Sequence, residues 1–243
     1  MKIPRRRFIY FLGTLLGLGI ATAVFVWRRM APGIGRPRTK VFWWMPRHEE
    51  LVRRIRENSY DVVFFGDSIT HKWEDAGREV WEKEFAPLDV RVKALNAGFG
   101  GDHTTHLLWH LQNGFLDGKS GTKLFVVLIG TNDIPYFSPV IENIRIIVDE
   151  IQRHRPSARI LLLGILPRGE FPDDFRRKIN SRVNAAISGF ADGKRIFYKD
   201  TGSVFLLSDG RINKEFMADF IHLTKSGYRV WADVLFPEVR RLL

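Results

Sequence analysis

Short apolar runs alternate with longer amphipathic stretches along most of the chain. The apolar runs predict buried strands over residues 61–65, 90–95, 124–129, 160–163 and 195–198. The amphipathic stretches predict helices, most clearly over residues 104–113, 139–154, 174–190 and 225–242. Apolar strands separated by helices are typical of a parallel sheet whose right-handed crossovers cover both faces. The pattern therefore predicts an α/β fold, a three-layer α/β/α sandwich with a central parallel sheet.

A hydrophobic segment precedes this pattern at the amino terminus. Residues 8–27 form a run of 20 residues without a charged side chain, and basic residues flank the run on both sides. At ~1.5 Å per residue, a helix of this length crosses the ~30 Å hydrocarbon layer of a bilayer. We therefore expect residues 1–30 to form an N-terminal hydrophobic helix that serves as a signal or a membrane anchor.

Two fates of this segment stay open. Ala21-Thr22-Ala23 has the small-residue pattern of a signal-peptidase site, and residues 5–9 match the core of a twin-arginine export signal. However, the apolar run continues past this site to Trp27 and ends at Arg28-Arg29, which favours a retained anchor. The expected location is a membrane, through a single-pass anchor, and export after cleavage is the alternative.

Residues 31–44 have the composition of a linker that leaves a membrane surface. Prolines and glycines alternate there with basic residues, namely Pro32, Gly33, Gly35, Pro37, Arg36, Arg38 and Lys40. We therefore expect the folded domain to cover residues 45–243.

The charge and the cysteine content exclude several classes of function. The net charge is +11, but six of the 38 basic residues and none of the 27 acidic residues lie in residues 1–30. No zinc-finger, RNP or basic-zipper pattern accompanies the charge, so a nucleic-acid partner is not expected. The chain has no cysteine, which excludes disulfides, thiolate zinc sites and a thiol nucleophile.

Small and polar residues follow the first three predicted strands, at the edge where a parallel α/β sheet binds its ligands. Acyl transfer needs a hydroxyl nucleophile, a base, a carboxylate that orients the base, and donors for an oxyanion. All four groups occur in the segments Gly66-Asp67-Ser68-Ile69, Asn96-Ala97-Gly98-Phe99-Gly100-Gly101-Asp102, Gly130-Thr131-Asn132-Asp133 and Asp219-Phe220-Ile221-His222.

Each of these roles has a candidate residue. Ser68, at a predicted strand-to-helix turn, is the candidate nucleophile, and His222 is the candidate general base. Asp219 lies three residues before His222, close enough to fix the imidazole tautomer. The backbone N–H groups of Ser68 and Gly101 and the side-chain amide of Asn132 form the predicted oxyanion hole, where a glycine allows close approach of the substrate.

Structural roles compete with the catalytic ones at several positions. Ser68 or Asp67 can cap the helix that follows the first strand. Asp133 can hold its loop, so we leave it outside the catalytic set.

Three histidines follow the predicted oxyanion glycine at spacings that zinc ligands can have, namely His103, His106 and His110. No nearby glutamate completes an H-E-x-x-H pattern. We therefore interpret them as residues of a helix surface or substrate cleft, and we expect neither a metal nor another cofactor.

The four blocks together resemble the SGNH or GDSL hydrolase family. The G-x-S-x-G elbow of α/β-hydrolases is missing, because Thr70 stands two residues after Ser68. The family's serine, glycine, asparagine and Asp-x-x-His match Ser68, Gly101, Asn132 and Asp219 with His222, in the family's order. The resemblance implies a flavodoxin-like fold and a metal-independent serine mechanism.

Within that family the chain is most similar to the catalytic alpha subunits of intracellular platelet-activating-factor acetylhydrolase. This resemblance covers roughly residues 60–243 and is carried by residues 95–102, 108–114, 163–169 and 219–224. It implies hydrolysis of a short acyl ester. Those subunits form dimers, so a homodimer is an open alternative, and they have no counterpart of the leader.

Three functional hypotheses follow. The first is a serine esterase that removes a short acyl group, expected to be acetyl, from a lipid or a glycan. The second is an O-acyltransferase that moves the group to a sugar hydroxyl. The third is a non-catalytic, surface-anchored binding module, because fold alone does not define function.

Overall fold

A five-stranded parallel sheet forms the centre of the protein. The structure is a computed structural model that describes residues 33–85, 92–118, 121–134 and 137–243. Its strands lie in the order β2-β1-β3-β4-β5 and pair in parallel. They are β1 (Val62–Gly66), β2 (Ala94–Gly98), β3 (Leu124–Leu128), β4 (Arg159–Leu163) and β5 (Ile196–Lys199).

Helices cover both faces of the sheet. The α-helices are α1 (Trp44–Glu57), α2 (Ser68–His71), α3 (Arg78–Phe85), α4 (Thr104–His110), α5 (Phe137–His154), α6 (Phe175–Ile187) and α7 (Lys225–Leu242). Shorter turns of helix are Lys72–Glu74, Leu111–Phe115, Ser188–Phe190 and Gly202–Phe205. One apolar cluster joins α1, α4, α5 and α6 to the sheet, and a second joins α3 and α7 to it. The predicted α/β fold with a central parallel sheet is confirmed.

The second strand differs from the sequence prediction. The predicted strand ended at Leu95, whereas β2 continues to Gly98, so Asn96 lies within the sheet and not after it. Asn96 is buried there because its side chain has internal partners. Its Oδ1 accepts the Gly98 N–H at 2.9 Å, and its Nδ2 donates to the His71 carbonyl at 3.2 Å.

The compact unit of the described chain is Gly33–Leu243, which starts before the domain boundary expected at residue 45. The expected leader, residues 1–30, lies outside the described residues. None of the helices in the described ranges is long and apolar enough to cross a bilayer.

Helix α7 holds the turn at the end of β1 through a buried tyrosine. The Tyr228 side chain is fully buried, and its hydroxyl donates a hydrogen bond to the Ile69 carbonyl at 2.6 Å. The indoles of Trp73 and Trp231 pack around its ring, with ring centres 4.5 Å and 6.0 Å away. This contact fixes the backbone directly after Ser68.

We expect Tyr228→Phe to lower the free energy of unfolding by about 1–3 kcal/mol, because it removes the donor to a buried carbonyl. Urea denaturation measures the change. The control is Tyr60→Phe, since the Tyr60 hydroxyl has no hydrogen bond within the described ranges. We expect a change of less than about 0.5 kcal/mol for the control; equal losses in both variants would contradict the prediction.

Candidate active site

Ser68 lies at the turn that leads from β1 into α2. Asp67 caps this helix, accepting a hydrogen bond from the Ile69 N–H at 2.9 Å, so the capping role falls to Asp67 and not to the serine. Ser68 is the first helical residue and is half-buried. Its hydroxyl is therefore available to another partner.

That partner is His222, which is bonded in turn to Asp219. Ser68 Oγ lies 2.9 Å from His222 Nε2, and His222 Nδ1 lies 2.7 Å from Asp219 Oδ2. The Oδ1 atom of Asp219 accepts the backbone N–H groups of Ile221 at 3.0 Å and His222 at 2.7 Å. The structure thus links the three residues predicted as nucleophile, base and orienting acid in one chain of hydrogen bonds.

The environment of Asp219 favours its ionised form. Partial burial works to raise the pKa of this carboxyl, but the hydrogen bonds from the His222 backbone, the His222 ring and Ile221 outweigh it and lower the pKa. The carboxylate therefore accepts a proton held on His222 Nδ1, and this network assigns Nε2 as the acceptor of the Ser68 hydroxyl. Such an imidazole can take the serine proton and later return it to a leaving group.

The turn that carries this pair is strained at Phe220. Its φ of +61° lies in the left-handed region, which costs a residue with a side chain roughly 1–2 kcal/mol. The Phe220 carbonyl accepts the Gly169 N–H at 3.0 Å, and Lys214 Nζ lies 5.0 Å from the centre of the Phe220 ring. These contacts hold the conformation that turns Asp219 toward His222.

The two residues predicted for the rest of the oxyanion hole lie on neighbouring loops. Gly101 follows β2 with a φ of +76°, a conformation that favours glycine. Asn132 follows β3, and its Nδ2 donates to the Asp102 carbonyl at 2.9 Å. The structure therefore brings the Gly101–Asp102 backbone and the Asn132 amide together at the carboxyl edge of the sheet.

Two buried carboxyl groups, those of Asp133 and Asp102, hold these loops through hydrogen bonds. Asp133 is buried and accepts hydrogen bonds from the Thr104 N–H at 3.0 Å and the Thr104 hydroxyl at 2.8 Å, which agrees with a loop-holding role. Asp102 is also buried; its Oδ1 accepts a hydrogen bond from Trp44 Nε1 at 2.8 Å, and its Oδ2 lies 3.1 Å from His110 Nε2. Burial raises the pKa of Asp102 to about 6. Sequence reasoning did not single out Asp102.

The interpretation of the three histidines is wrong for His110. It is not a surface or cleft residue but is 1% exposed, and its Nδ1 lies 2.8 Å from Nδ1 of His48 on α1. Burial lowers the pKa of His48 to about 4 and that of His110 well below its ordinary value. His106 accepts the His103 N–H at 2.9 Å. Among the described residues, no group of three potential ligand side chains is arranged to hold a metal ion.

Arg38 was not predicted as a site residue, because the composition of residues 31–44 indicates a linker. Arg38 Nη1 donates to the Gly100 carbonyl at 2.7 Å and lies 3.2 Å from Asp102 Oδ1. The pair Trp43-Trp44 directly after the basic stretch was a usable signal, because indoles at that position indicate packing against a domain.

Asp67 gives the stability of the fold a pH dependence. The carboxyl is completely buried; burial first, and then the charges of Asp102 and Asp133, raise its pKa to about 7. Because this pKa lies above the unfolded value near 4, the Asp67 carboxyl stays protonated in the native state at pH values at which it ionises in the unfolded state. The native state therefore loses stability relative to the unfolded state as the pH rises from about 4 to about 7.

Asp67→Asn removes this titration and keeps an acceptor for the Ile69 N–H. We expect the difference in unfolding free energy, variant minus wild type, to be larger at pH 8 than at pH 5 by on the order of 1–3 kcal/mol. Urea denaturation at the two pH values measures it. Asp173→Asn, at an exposed carboxylate, is the control; the same difference at both pH values for Asp67→Asn would contradict the prediction.

Comparison with known proteins identifies the family. The pattern of the GDSL-like Lipase/Acylhydrolase family matches residues 64–230. The platelet-activating factor acetylhydrolase IB subunit alpha1 of Rattus norvegicus is 36% identical over 204 residues, which cover 82% of this chain and 84% of that protein.

Solved structures share the fold. A GDSL-like lipase from Bacteroides thetaiotaomicron superposes with a TM-score of 0.67 at 19% identity, covering 82% of this chain and 98% of that chain. A catalytic mutant of an acetylxylan esterase from Geobacillus stearothermophilus superposes with a TM-score of 0.59 at 15% identity, covering 75% and 94%. The match of the family pattern to residues 64–230 and the 36% identity to the alpha1 subunit show that the chain belongs to the GDSL-like lipase/acylhydrolase family of ester hydrolases.

Proposed function

We propose that this protein is a serine esterase that hydrolyses a short acyl ester through Ser68, His222 and Asp219. The observation that carries the proposal is the continuous hydrogen-bonded chain from the Ser68 hydroxyl through the His222 ring to the Asp219 carboxylate. It lies at the carboxyl edge of a parallel sheet, where α/β folds carry their chemistry. A hydroxyl placed in this way is activated by the adjacent base.

In the proposed mechanism, the Ser68 oxygen attacks the ester carbonyl while His222 Nε2 takes the serine proton. Asp219 stabilises the imidazolium that forms. The oxyanion of the tetrahedral intermediate accepts hydrogen bonds from the N–H groups of Ser68 and Gly101 and from the Asn132 amide. The proton then passes to the leaving alcohol, and a water molecule, deprotonated by the same imidazole, hydrolyses the acyl-enzyme.

The acyl group we propose is acetyl. Support comes from the relatives, since the names of the alpha1 subunit and of the xylan esterase both specify removal of acetyl groups. The first name specifies platelet-activating factor and the second specifies xylan, so the proposal keeps both alcohols expected from the sequence, a lipid and a glycan.

We expect Ser68→Ala to lower turnover of p-nitrophenyl acetate by roughly 10³-fold or more, because it removes the hydroxyl that His222 activates. The assay compares acetate, butyrate and octanoate esters, and activity that falls with chain length supports a short acyl pocket. The matched control is Ser157→Ala, an exposed serine before the amino end of β4.

Retained activity in Ser68→Ala would overturn the proposal. If the wild-type protein hydrolyses none of the esters but transfers an acetyl group to an added sugar, the protein is an O-acyltransferase. If it does neither, the proposed hydrolysis of short acyl esters fails, and the result favours the binding-module hypothesis.

We also propose that residues 1–30 are retained and hold the protein at a membrane. The uncharged run of residues 8–27 supports this, since its length matches the hydrocarbon layer. The full chain should stay in membranes after a carbonate wash, whereas Leu16→Arg with Leu18→Arg, which interrupts the run, should release it. A soluble protein whose sequence starts at Val24 would contradict retention and indicate cleavage after Ala23.

A further inference from the structure

Residues 33–43, here called the strap, contact helices α4 and α5 and the loop after β2. The Gly33 N–H donates to Asn143 Oδ1 at 2.9 Å, and the Arg36 N–H donates to the Thr105 carbonyl at 3.0 Å. At Gly35 the strap approaches α4 so closely that a Cβ atom would lie 2.7 Å from the backbone of Trp109. The strap is therefore held against α4 by backbone contacts at Gly35 and Arg36.

Arg38 connects the strap to the loop after β2. Its Nη1 atom donates to the Gly100 carbonyl at 2.7 Å and lies 3.2 Å from Asp102 Oδ1, so the guanidinium bridges the residues on either side of Gly101. The Arg38 side chain is 24% exposed, which weakens solvent screening of this ion pair. The same guanidinium lies 3.0 Å from the point where a Cβ of Gly101 would stand.

The strap also reaches the loop after β3. Asn143, which accepts the Gly33 N–H, donates through Nδ2 to the Thr104 hydroxyl at 3.0 Å. Thr104 in turn donates to Asp133, the neighbour of Asn132. Both predicted oxyanion loops are therefore tied to the strap through short chains of hydrogen bonds.

We propose that Arg38 is a positioning residue of the oxyanion hole, holding the Gly100–Asp102 backbone so that the Gly101 N–H and the Asn132 amide face the reacting carbonyl oxygen. The proposal rests on the esterase function proposed above. It adds that one residue of the segment before the domain, Arg38, orients the active site without touching the substrate.

The physical need for such a residue lies in the loop itself. Gly100 and Gly101 stand in sequence, and two glycines in a row leave a backbone with many accessible conformations. An oxyanion hole works only when its donors are already oriented before the charge develops. The Arg38 guanidinium, whose Nη1 binds on both sides of Gly101, removes this freedom.

The first test replaces Arg38 in the full chain. For Arg38→Met we expect kcat for p-nitrophenyl acetate to fall by on the order of 10²-fold while KM changes by less than about threefold, as for loss of an oxyanion donor. Arg38→Lys keeps the charge and one donor, so its kcat should lie between those of Arg38→Met and the wild type. Lys40→Met removes an exposed charge from the same strap and is expected to leave kcat unchanged.

A second variant moves the strap without altering Arg38. Gly35→Ala places a methyl group against the Trp109 backbone, so the strap must shift away from α4. We expect kcat to decrease while KM changes little, as for Arg38→Met. Gly189→Ala is the matched control, because no atom lies within 4 Å of its added methyl group.

The outcomes separate this proposal from the one it rests on. If the unsubstituted chain shows no Ser68-dependent turnover, the esterase function fails, and the role of Arg38 fails with it. If turnover depends on Ser68 but kcat of Arg38→Met stays within threefold of wild type, the role of Arg38 alone is overturned. The role of Arg38 is also overturned if circular dichroism shows that the decrease in kcat of Arg38→Met equals its loss of folded protein, and if Arg38→Lys recovers none of the activity.

Discussion

The register of three parallel strands is the constraint on which the site depends. Strand β1 pairs with β2 on one side and β3 on the other, so that Gly66 is level with Gly98 and with Leu128. Because the pairing is parallel, the loops that follow all three strands leave the sheet at one edge. A shift by one residue would turn every side chain of a strand to the other face and separate Ser68 from the loops of Gly101 and Asn132.

Hydrogen bonds of buried polar groups then hold the loops that the strand register brings together. Asp67, Asp102 and Asp133 lie beneath the loops as buried carboxyl groups, an arrangement that is unfavourable unless donors surround each one. The donors come from distant parts of the chain, the Trp44 indole and the Thr104 hydroxyl among them. A network of this kind rigidifies a site because loss of one member leaves another buried group without its partner. Rigid loops are in turn what an oxyanion hole requires.

The sequence predicted the sheet and the candidate site better than it predicted the surroundings. Strands such as β3 are continuous apolar runs, which the sequence pattern predicts directly. The hydrogen-bonded residues Ser68, His222 and Asp219 were predicted because their residue types and spacing form a recognisable motif. Strand β2 was misplaced because its last three residues are small or polar, and their burial depends on partners from the turn after β1. His110 was misread for a related reason, since its partner His48 lies on a helix that the pattern did not predict.

The strap was the largest gap between composition and structure. Glycine in a flexible linker and glycine at a close backbone approach look the same in a sequence, and only the neighbour at Gly35 distinguishes them. The strap also lies outside residues 64–230, which the family pattern covers.

The position of the strap has a consequence for proteolytic processing of the chain. Cleavage after Ala23 leaves the strap attached to the enzyme, whereas a proteolytic cut between residues 38 and 44 detaches Arg38 from the domain's covalent chain. A cut after Ala23 would thus release the protein with the bridge across Gly101 intact, whereas a cut 15 to 20 residues further along would release it without that bridge.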